Sequence, residues 1–147
     1  MWTSQWRDRL FQLSSPLSTK PKSLRRTWPR LCEYLKSLES EFRWEIIVLN
    51  DGSTDKTGEL AEAFARERKG IRVLHHPTNF GLGQALQSAF SECQGDYVVT
   101  LDLDLSYSPD HICTMLRRIR DTKSKVVLAS PYTEGAESPT SRGSEEC

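Results

Sequence analysis

The 147-residue sequence has no net charge, because its 20 lysine and arginine residues balance its 20 aspartate and glutamate residues. Without an excess of positive charge, the chain has no global attraction to nucleic acid or to an anionic membrane, and we expect neither as a direct partner. The sequence also lacks a run of roughly 18 apolar residues that could span a membrane, and its first ten residues lack the apolar core of a secretory signal. These absences predict a soluble, cytoplasmic protein that contacts a membrane only through a partner or a segment outside this sequence.

Paired cysteines are missing as well. Cys32, Cys93, Cys113 and Cys147 lie far apart, form no CxxC pair and have no histidine at the spacing of a zinc finger. This pattern excludes a zinc-binding domain of the common types. It predicts four free thiols in a reducing compartment.

The length allows one hydrophobic core, and a hydrophobic content of 37% with a mean hydropathy of -0.56 indicates that part of the chain stays outside this core. Residues 1–30 hold seven basic residues and one acid. We therefore expect a weakly ordered basic lead-in over residues 1–23, a folded domain over residues 24–134 and a disordered tail over residues 135–147.

The folded part alternates between short apolar runs and segments with the three-and-four spacing of amphipathic helices. This alternation predicts an α/β sandwich of three layers, in which a mainly parallel sheet is covered by helices on both faces. The predicted strands are residues 45–49, 71–74, 96–101 and 125–129, and the predicted helices are residues 24–42, 56–69, 83–93 and 109–120.

Two turns after predicted strands are rich in carboxylates, and ligands of open α/β sheets bind at the carboxyl ends of the strands. In the segment LDLDL, strict alternation places Asp102 and Asp104 on one side of the chain. Two such carboxylates form half of a site for Mg²⁺ or Mn²⁺, which prefer oxygen ligands. The alternative is a solvated strand end, because this short motif is expected by chance about 0.4 times in such a chain.

The other carboxylate-rich turn contains Asp51, Gly52 and Ser53. A turn followed by a helix cap explains the glycine and the serine. The same reading leaves the Asp51 carboxylate available to accept a hydrogen bond from a nucleobase N–H or a ribose hydroxyl. His75 and His76, in the next loop, are expected to be surface or capping residues rather than ligands.

Four segments in this order, WEIIVLNDGSTDKT, NFGLGQAL, GDYVVTLDLDLSYSPDHI and VVLASPYTEGA, resemble family 2 glycosyltransferases of the GT-A fold. The nearest resemblance is to polyprenyl- and dolichyl-phosphate mannose or glucose synthases, and it covers about residues 44–136. It implies a Rossmann-like GT-A sandwich that is incomplete at both ends. It also implies transfer of a sugar from GDP-mannose or a UDP-sugar to a lipid phosphate or another acceptor, with peripheral contact at the cytoplasmic membrane face.

The resemblance assigns roles to five residues. Asp102 and Asp104 match the family's D-x-D, which holds Mg²⁺ or Mn²⁺. The resemblance further implies that Asp102 contacts the nucleotide and that Asp104 has a catalytic role. Asp51, Gly52 and Ser53 match the family's nucleotide-binding DDGS turn.

Three features depart from the family pattern. Asn50 replaces the first aspartate of DDGS, the segment FQLSSPLSTKPKSL predicts an altered first strand, and the sequence ends soon after SPYTEG, before an acceptor-binding half. We therefore expect a donor-binding half of the enzyme. A non-catalytic nucleotide-sugar-binding module is the alternative, and a nucleotidyltransferase fits less well because no glycine-rich basic loop lies near the amino terminus.

Overall fold

The computed structural model describes residues 9–14, 21–101 and 108–130. The chain divides into two compact units, Met1–Ser106 and Tyr107–Cys147. The first unit contains the elements β1 (Arg9–Ser14), α1 (Pro21–Ser37), β2 (Arg43–Asp51), α2 (Thr57–Arg66), β3 (Ile71–His76), α3 (Leu82–Glu92) and β4 (Tyr97–Leu101), and the second contains α4 (His111–Thr122).

The four strands of the first unit form one parallel sheet in the order β3-β2-β1-β4. Every strand is parallel to its neighbours, so the carboxyl ends of all four strands lie at the same edge. The last six residues of β2 are all buried, which is typical of a strand that is covered on both faces. The predicted parallel α/β architecture is therefore confirmed.

The strand β1 lies in the segment that was expected to be weakly ordered and to hold an altered first element. It pairs with β2 on one side and with β4 on the other, so it is central to the sheet. Hydrogen bonds from two neighbouring strands stabilise a segment whose local composition favours a strand only weakly. The expectation is wrong for residues 9–14. Residues 1–8, 15–20 and 135–147 lie outside the described residues, so the domain boundaries stay a prediction.

The strand predicted over residues 125–129 is absent, and the described chain from residue 124 to residue 130 is irregular. Val126 is 70% exposed and Leu128 is 84% exposed. Branched apolar residues favour a strand only when they pack on a neighbour. Here the two side chains remain in solvent, and this prediction is wrong.

One core cluster joins β2 to α3. Ile47 and Leu49 pack against Ala85 and Ala89, and all four side chains are at most 1% exposed. The small alanine side chains bring α3 close to the sheet. On another face of the unit, the Trp28 ring of α1 lies 4.6 Å from the Phe64 ring of α2. These contacts hold the helices that follow β2 and β3 in fixed positions.

In the second unit, α4 begins two residues later than the sequence predicts. The Ser108 hydroxyl donates to the Asp110 carboxylate at 2.6 Å and does not cap the helix, and Asp110 is the N-cap residue. Ile112, Cys113 and Leu116 are buried. Cys113 is disulfide-bonded, whereas Cys32 and Cys93 are free thiols. The expectation of a free thiol is therefore confirmed for Cys32 and Cys93 and wrong for Cys113, whose bond no local spacing motif indicates.

Candidate functional site at the carboxyl edge of the sheet

The carboxyl ends of β2 and β3 place two pairs of polar side chains next to each other. The strand register aligns Asn50 with His75 and Asp51 with His76. Successive strand residues point to opposite faces of a sheet. The two pairs therefore lie on opposite faces of the same edge, and each pair contacts a different helix.

The Asp51 carboxylate accepts three hydrogen bonds from the described residues. The Nδ1 atom of His76 donates to Oδ1 at 2.6 Å, and the backbone N–H of Phe80 donates to the same oxygen at 3.0 Å. The backbone N–H of Gly81 donates to Oδ2 at 2.9 Å. The Asp51 side chain is only 1% exposed. Asp51 thus ties the end of β2 to β3 and to the loop of residues 77–81, which we name the 77–81 loop.

These hydrogen bonds determine the charge of Asp51. Burial works to raise the pKa of the carboxyl, but the hydrogen bonds from the Phe80 backbone, from His76 and from the Gly81 backbone outweigh burial and hold the pKa below its usual range. Asp51 is therefore an anion at neutral pH.

The His76 ring connects Asp51 to α3. Because Nδ1 donates to a carboxylate, Nε2 is free to accept, and the Ser88 hydroxyl lies 3.0 Å from it. The edge of the Phe80 ring also packs on the His76 ring, with 5.1 Å between the ring centroids. The resulting chain of carboxylate, imidazole and hydroxyl joins β2, β3 and α3 at the candidate site.

Gly52 brings the turn after β2 into direct contact with the 77–81 loop. Its φ of +69° lies in the left-handed region. A Cβ at this position would lie 2.3 Å from the carbonyl carbon of Thr78 and 2.4 Å from the backbone nitrogen of Asn79. Both the backbone conformation and the space require glycine.

On the opposite face, Asn50 organises the turn and α2. Its Oδ1 accepts the backbone N–H of Ser53 at 3.1 Å, and its Nδ2 donates to Nδ1 of His75 at 3.0 Å. The Nε2 atom of His75 then donates to Glu62 at 3.0 Å. Asn50 supplies a donor and an acceptor at once, which a carboxylate in its place could not do.

The start of α2 is bound by Asp55, one of the three residues, with Ser53 and Thr54, that the sequence predicts as its cap. The Asp55 carboxylate accepts the Thr57 backbone N–H at 2.9 Å. The neighbouring Thr57 side chain and this backbone hydrogen bond hold the pKa of Asp55 below its usual range. Asp55 therefore supplies the negative charge at the helix N-terminus.

The structure brings Asp51, Gly52 and Ser53 together at the carboxyl edge of the sheet. Strand β4 ends at Leu101 on the same edge. Asp102 and Asp104 follow it directly, but they lie outside the described residues. Within the described parts of the chain, no group of three histidine, cysteine or carboxylate side chains could hold a metal.

The sequence pattern does not identify His76 as a residue of the site. The residue is not on the surface, since its side chain is 12% exposed, and it contacts Asp51 directly. His75 does lie near the surface, with a side chain that is 42% exposed. The signal that could have identified His76 is its register opposite Asp51, which becomes visible only when β2 and β3 are aligned.

In the portion of the chain that the structure describes, no helix is long and apolar enough to cross a membrane.

Comparison with known proteins identifies relatives of this chain. A dolichyl-phosphate beta-glucosyltransferase of Trichomonas vaginalis is 33% identical over 122 residues, which cover 78% of this chain and 38% of the relative. An undecaprenyl-phosphate 4-deoxy-4-formamido-L-arabinose transferase of Pseudomonas fluorescens is 36% identical over 93 residues, which cover 63% of this chain and 26% of the relative. The chain thus spans well under half the length of these curated relatives.

Among solved structures, a mannosyltransferase of Pyrobaculum calidifontis in complex with GDP-Man and Mn²⁺ has a TM-score of 0.62 and 17% sequence identity. The match covers 78% of this chain and 33% of that protein, and it shows a shared GT-A fold. The sequence also matches the family described as "Glycosyl transferase family 2" over residues 18–146. That match includes most of the chain, and the chain therefore belongs to glycosyl transferase family 2.

Proposed function

We propose that the chain binds a nucleoside-diphosphate sugar at the carboxyl edge of its sheet and contributes the donor side of a glycosyltransferase. The observation that carries this proposal is the clustering of the Asp51 turn, the 77–81 loop and the end of β4 at one edge of a parallel sheet in a member of this family. Ligands of open parallel sheets bind at this edge. The donor that we propose is UDP- or GDP-linked, a class that includes the GDP-Man of the solved mannosyltransferase.

Asp102 and Asp104 are the residues that we propose to hold Mg²⁺ or Mn²⁺. They follow the last residue of β4, and a pair of carboxylates is the type of donor that these cations prefer. A bound cation would neutralise charge on the diphosphate leaving group. We assign Asp102 to both the metal and the nucleotide, and Asp104 to the metal and to catalysis.

Asp51, with Gly52 and Ser53 beside it, is the proposed contact for the nucleoside. A carboxylate has about four lone-pair sites, and the described part of the chain uses three of them on Asp51. Counted over that part of the chain, one site on Oδ2 is left for a nucleobase N–H or a ribose hydroxyl. Because the side chain is 1% exposed, such a donor reaches it only when the groups that cover the carboxylate move.

The acceptor that we propose is a polyprenyl phosphate. Two relatives are named for dolichyl-phosphate and undecaprenyl-phosphate substrates. A phosphate oxygen is already anionic, so transfer to it needs a strong general base less than transfer to a hydroxyl does. Such an acceptor would place the protein at the cytoplasmic face of a membrane, through a partner or a further segment.

Isothermal titration calorimetry with UDP-glucose and GDP-mannose, each with and without MnCl₂, tests the proposal. We expect one of the two nucleotide sugars to bind and Mn²⁺ to tighten its binding. Asp51→Asn should weaken binding, whereas the matched control Asp121→Asn, which changes an exposed aspartate of α4, should not. The absence of binding to either sugar, in a sample that unfolds cooperatively, would contradict the proposal.

A turnover assay with added polyprenyl phosphate separates the two forms of this function. Transfer of the sugar to the lipid would identify the chain as sufficient for catalysis. Donor binding with neither transfer nor hydrolysis would instead identify a nucleotide-sugar-binding module.

A further inference from the structure

We propose that His76 is a positioning residue of the candidate donor site, which holds the Asp51 carboxylate in place and, through it, the 77–81 loop. This inference rests on the proposed function, because it concerns how that site binds a nucleotide sugar. It adds a residue and a hydrogen-bonded chain from Asp51 through His76 to Ser88 that the sequence pattern does not indicate.

The buried Asp51 carboxylate needs a hydrogen-bond donor in a fixed position. A buried carboxylate is stable only when hydrogen bonds replace its lost hydration. Two of its three donors are backbone groups of Phe80 and Gly81, which belong to a loop, and the Phe80 side chain is 54% exposed. His76 is instead the last residue of β3, where the ladder with β2 fixes its backbone. His76 therefore orients the carboxylate that the loop binds.

The hydrogen bond to Ser88 holds the His76 ring in one orientation. Its Nε2 atom lies 3.0 Å from the Ser88 hydroxyl. A hydroxyl can donate to a neutral imidazole and accept from a charged one, so the ring keeps the same orientation in both protonation states. The charged and polar groups that face the ring are Asp51 and Ser88, and Phe80 packs on it from the loop. Ser88 thus anchors His76 to α3.

The order of carboxylate, imidazole and hydroxyl is also that of a hydrolase triad. Ser88, however, lies one turn after Ala85, whose side chain is fully buried against the sheet. This placement directs the hydroxyl to the inner side of α3 and favours positioning over nucleophilic attack. We expect no covalent labelling of Ser88 by a fluorophosphonate probe, and stoichiometric labelling would overturn the positioning role.

Two substitutions of His76 distinguish the effect of losing its hydrogen-bond donor from the effect of changing the size of its side chain. His76→Leu removes the donor, and we expect it to weaken binding of the better nucleotide sugar about 10-fold in the presence of Mn²⁺. His76→Asn keeps an N–H at the position of Nδ1 and should restore binding to within about 3-fold of wild type. Ser88→Ala should give an intermediate loss. Its matched control is Ser91→Ala in the same helix. The Ser91 hydroxyl donates to the Ser88 carbonyl, and its loss should leave binding unchanged.

A spectroscopic readout distinguishes positioning from a general loss of stability. Carboxyl ¹³C NMR should show that the pKa of Asp51 rises in His76→Leu, because a hydrogen bond that lowers it is gone, and falls back in His76→Asn. Thermal unfolding of each variant establishes that it is folded at the titration temperature. If His76→Leu does not fold, Ser88→Ala is compared with Ser91→Ala instead, and equal binding of the nucleotide sugar by these two variants would overturn the positioning role.

The outcomes separate this inference from the proposed function. If wild type binds a nucleotide sugar and folded His76→Leu binds it equally well, the positioning role is overturned and the proposed function stands. If wild type binds neither sugar, the proposed function fails. The Asp51 titration then decides alone, and an unchanged Asp51 pKa in His76→Leu would overturn the positioning role too.

Discussion

At the scale of single residues, Gly52 is the tightest point of the candidate site. Its positive φ disfavours any side chain, and a Cβ would overlap the backbone of Thr78 and Asn79. We expect Gly52→Ala to lower the free energy of unfolding by about 2 to 4 kcal/mol, because backbone strain and overpacking add. Urea denaturation of the purified variant measures this change.

Gly83→Ala is the matched control for this substitution. A Cβ on Gly83, in the first turn of α3, would have no neighbour within 4 Å. Alanine favours a helix over glycine by about 0.5 to 1 kcal/mol, so this variant should be as stable as wild type or slightly more stable. Equal losses of stability in the two glycine variants would contradict the contact between the Gly52 turn and the 77–81 loop.

Asp51 predicts a specific dependence of stability on pH. Its native pKa lies below the ordinary value of 3.8, so its contribution is complete above that value and is lost as the pH falls through the lower native pKa. Asp51→Asn should therefore cost about 2 kcal/mol of unfolding free energy at pH 7, and this cost should shrink as the pH is lowered below 3.8. Urea denaturation over a series of pH values, with Asp121→Asn as the control, measures the change. A cost that does not depend on pH would contradict ionisation as its source.

At the scale of elements, the sequence predicts a segment well when one local pattern decides its structure. The apolar run that ends β2 and the spacing of α2 and α3 are such patterns, and these elements lie within a few residues of the prediction. Strand β1 and the segment of residues 125–129 are the opposite cases. The first becomes a strand because two neighbours pair with it, and the second stays irregular although its residues favour a strand.

Proline substitutions test both of these elements. Gln12 pairs with Ile46 on one side and with Val99 on the other, so Gln12→Pro interrupts a central ladder. We expect a loss of about 3 kcal/mol or more. Val126→Pro, at a position that is 70% exposed in an irregular segment, should change stability by less than about 0.5 kcal/mol. Thermal denaturation of the two variants checks the pair, and tolerance of Gln12→Pro would argue against a central β1.

At the scale of the whole molecule, the sheet brings segments that are distant in the sequence together at one candidate site. The Asp51 turn could be predicted because it directly follows a strand with a clear apolar pattern. The contact of Asp51 with His76 could not, because 25 residues separate the two and only the register of β2 with β3 joins them. The same holds for the 77–81 loop, whose backbone N–H groups at Phe80 and Gly81 bind Asp51 from 29 and 30 residues away.

A ligand that binds at the carboxyl edge of the sheet should raise the free energy of unfolding of the whole molecule. A ligand that binds only the folded state at about 100 times its Kd adds about 2.7 kcal/mol to the free energy of unfolding. We expect a nucleotide sugar with MnCl₂ to raise the Tm by several degrees, and EDTA to remove most of that gain, because in the proposed site the cation would hold the diphosphate. In the double variant Asp102→Asn, Asp104→Asn the gain should be small with or without MnCl₂, whereas Asp121→Asn should behave as wild type. A Tm gain that survives both EDTA and the double substitution would show that these two carboxylates do not hold a metal for the donor.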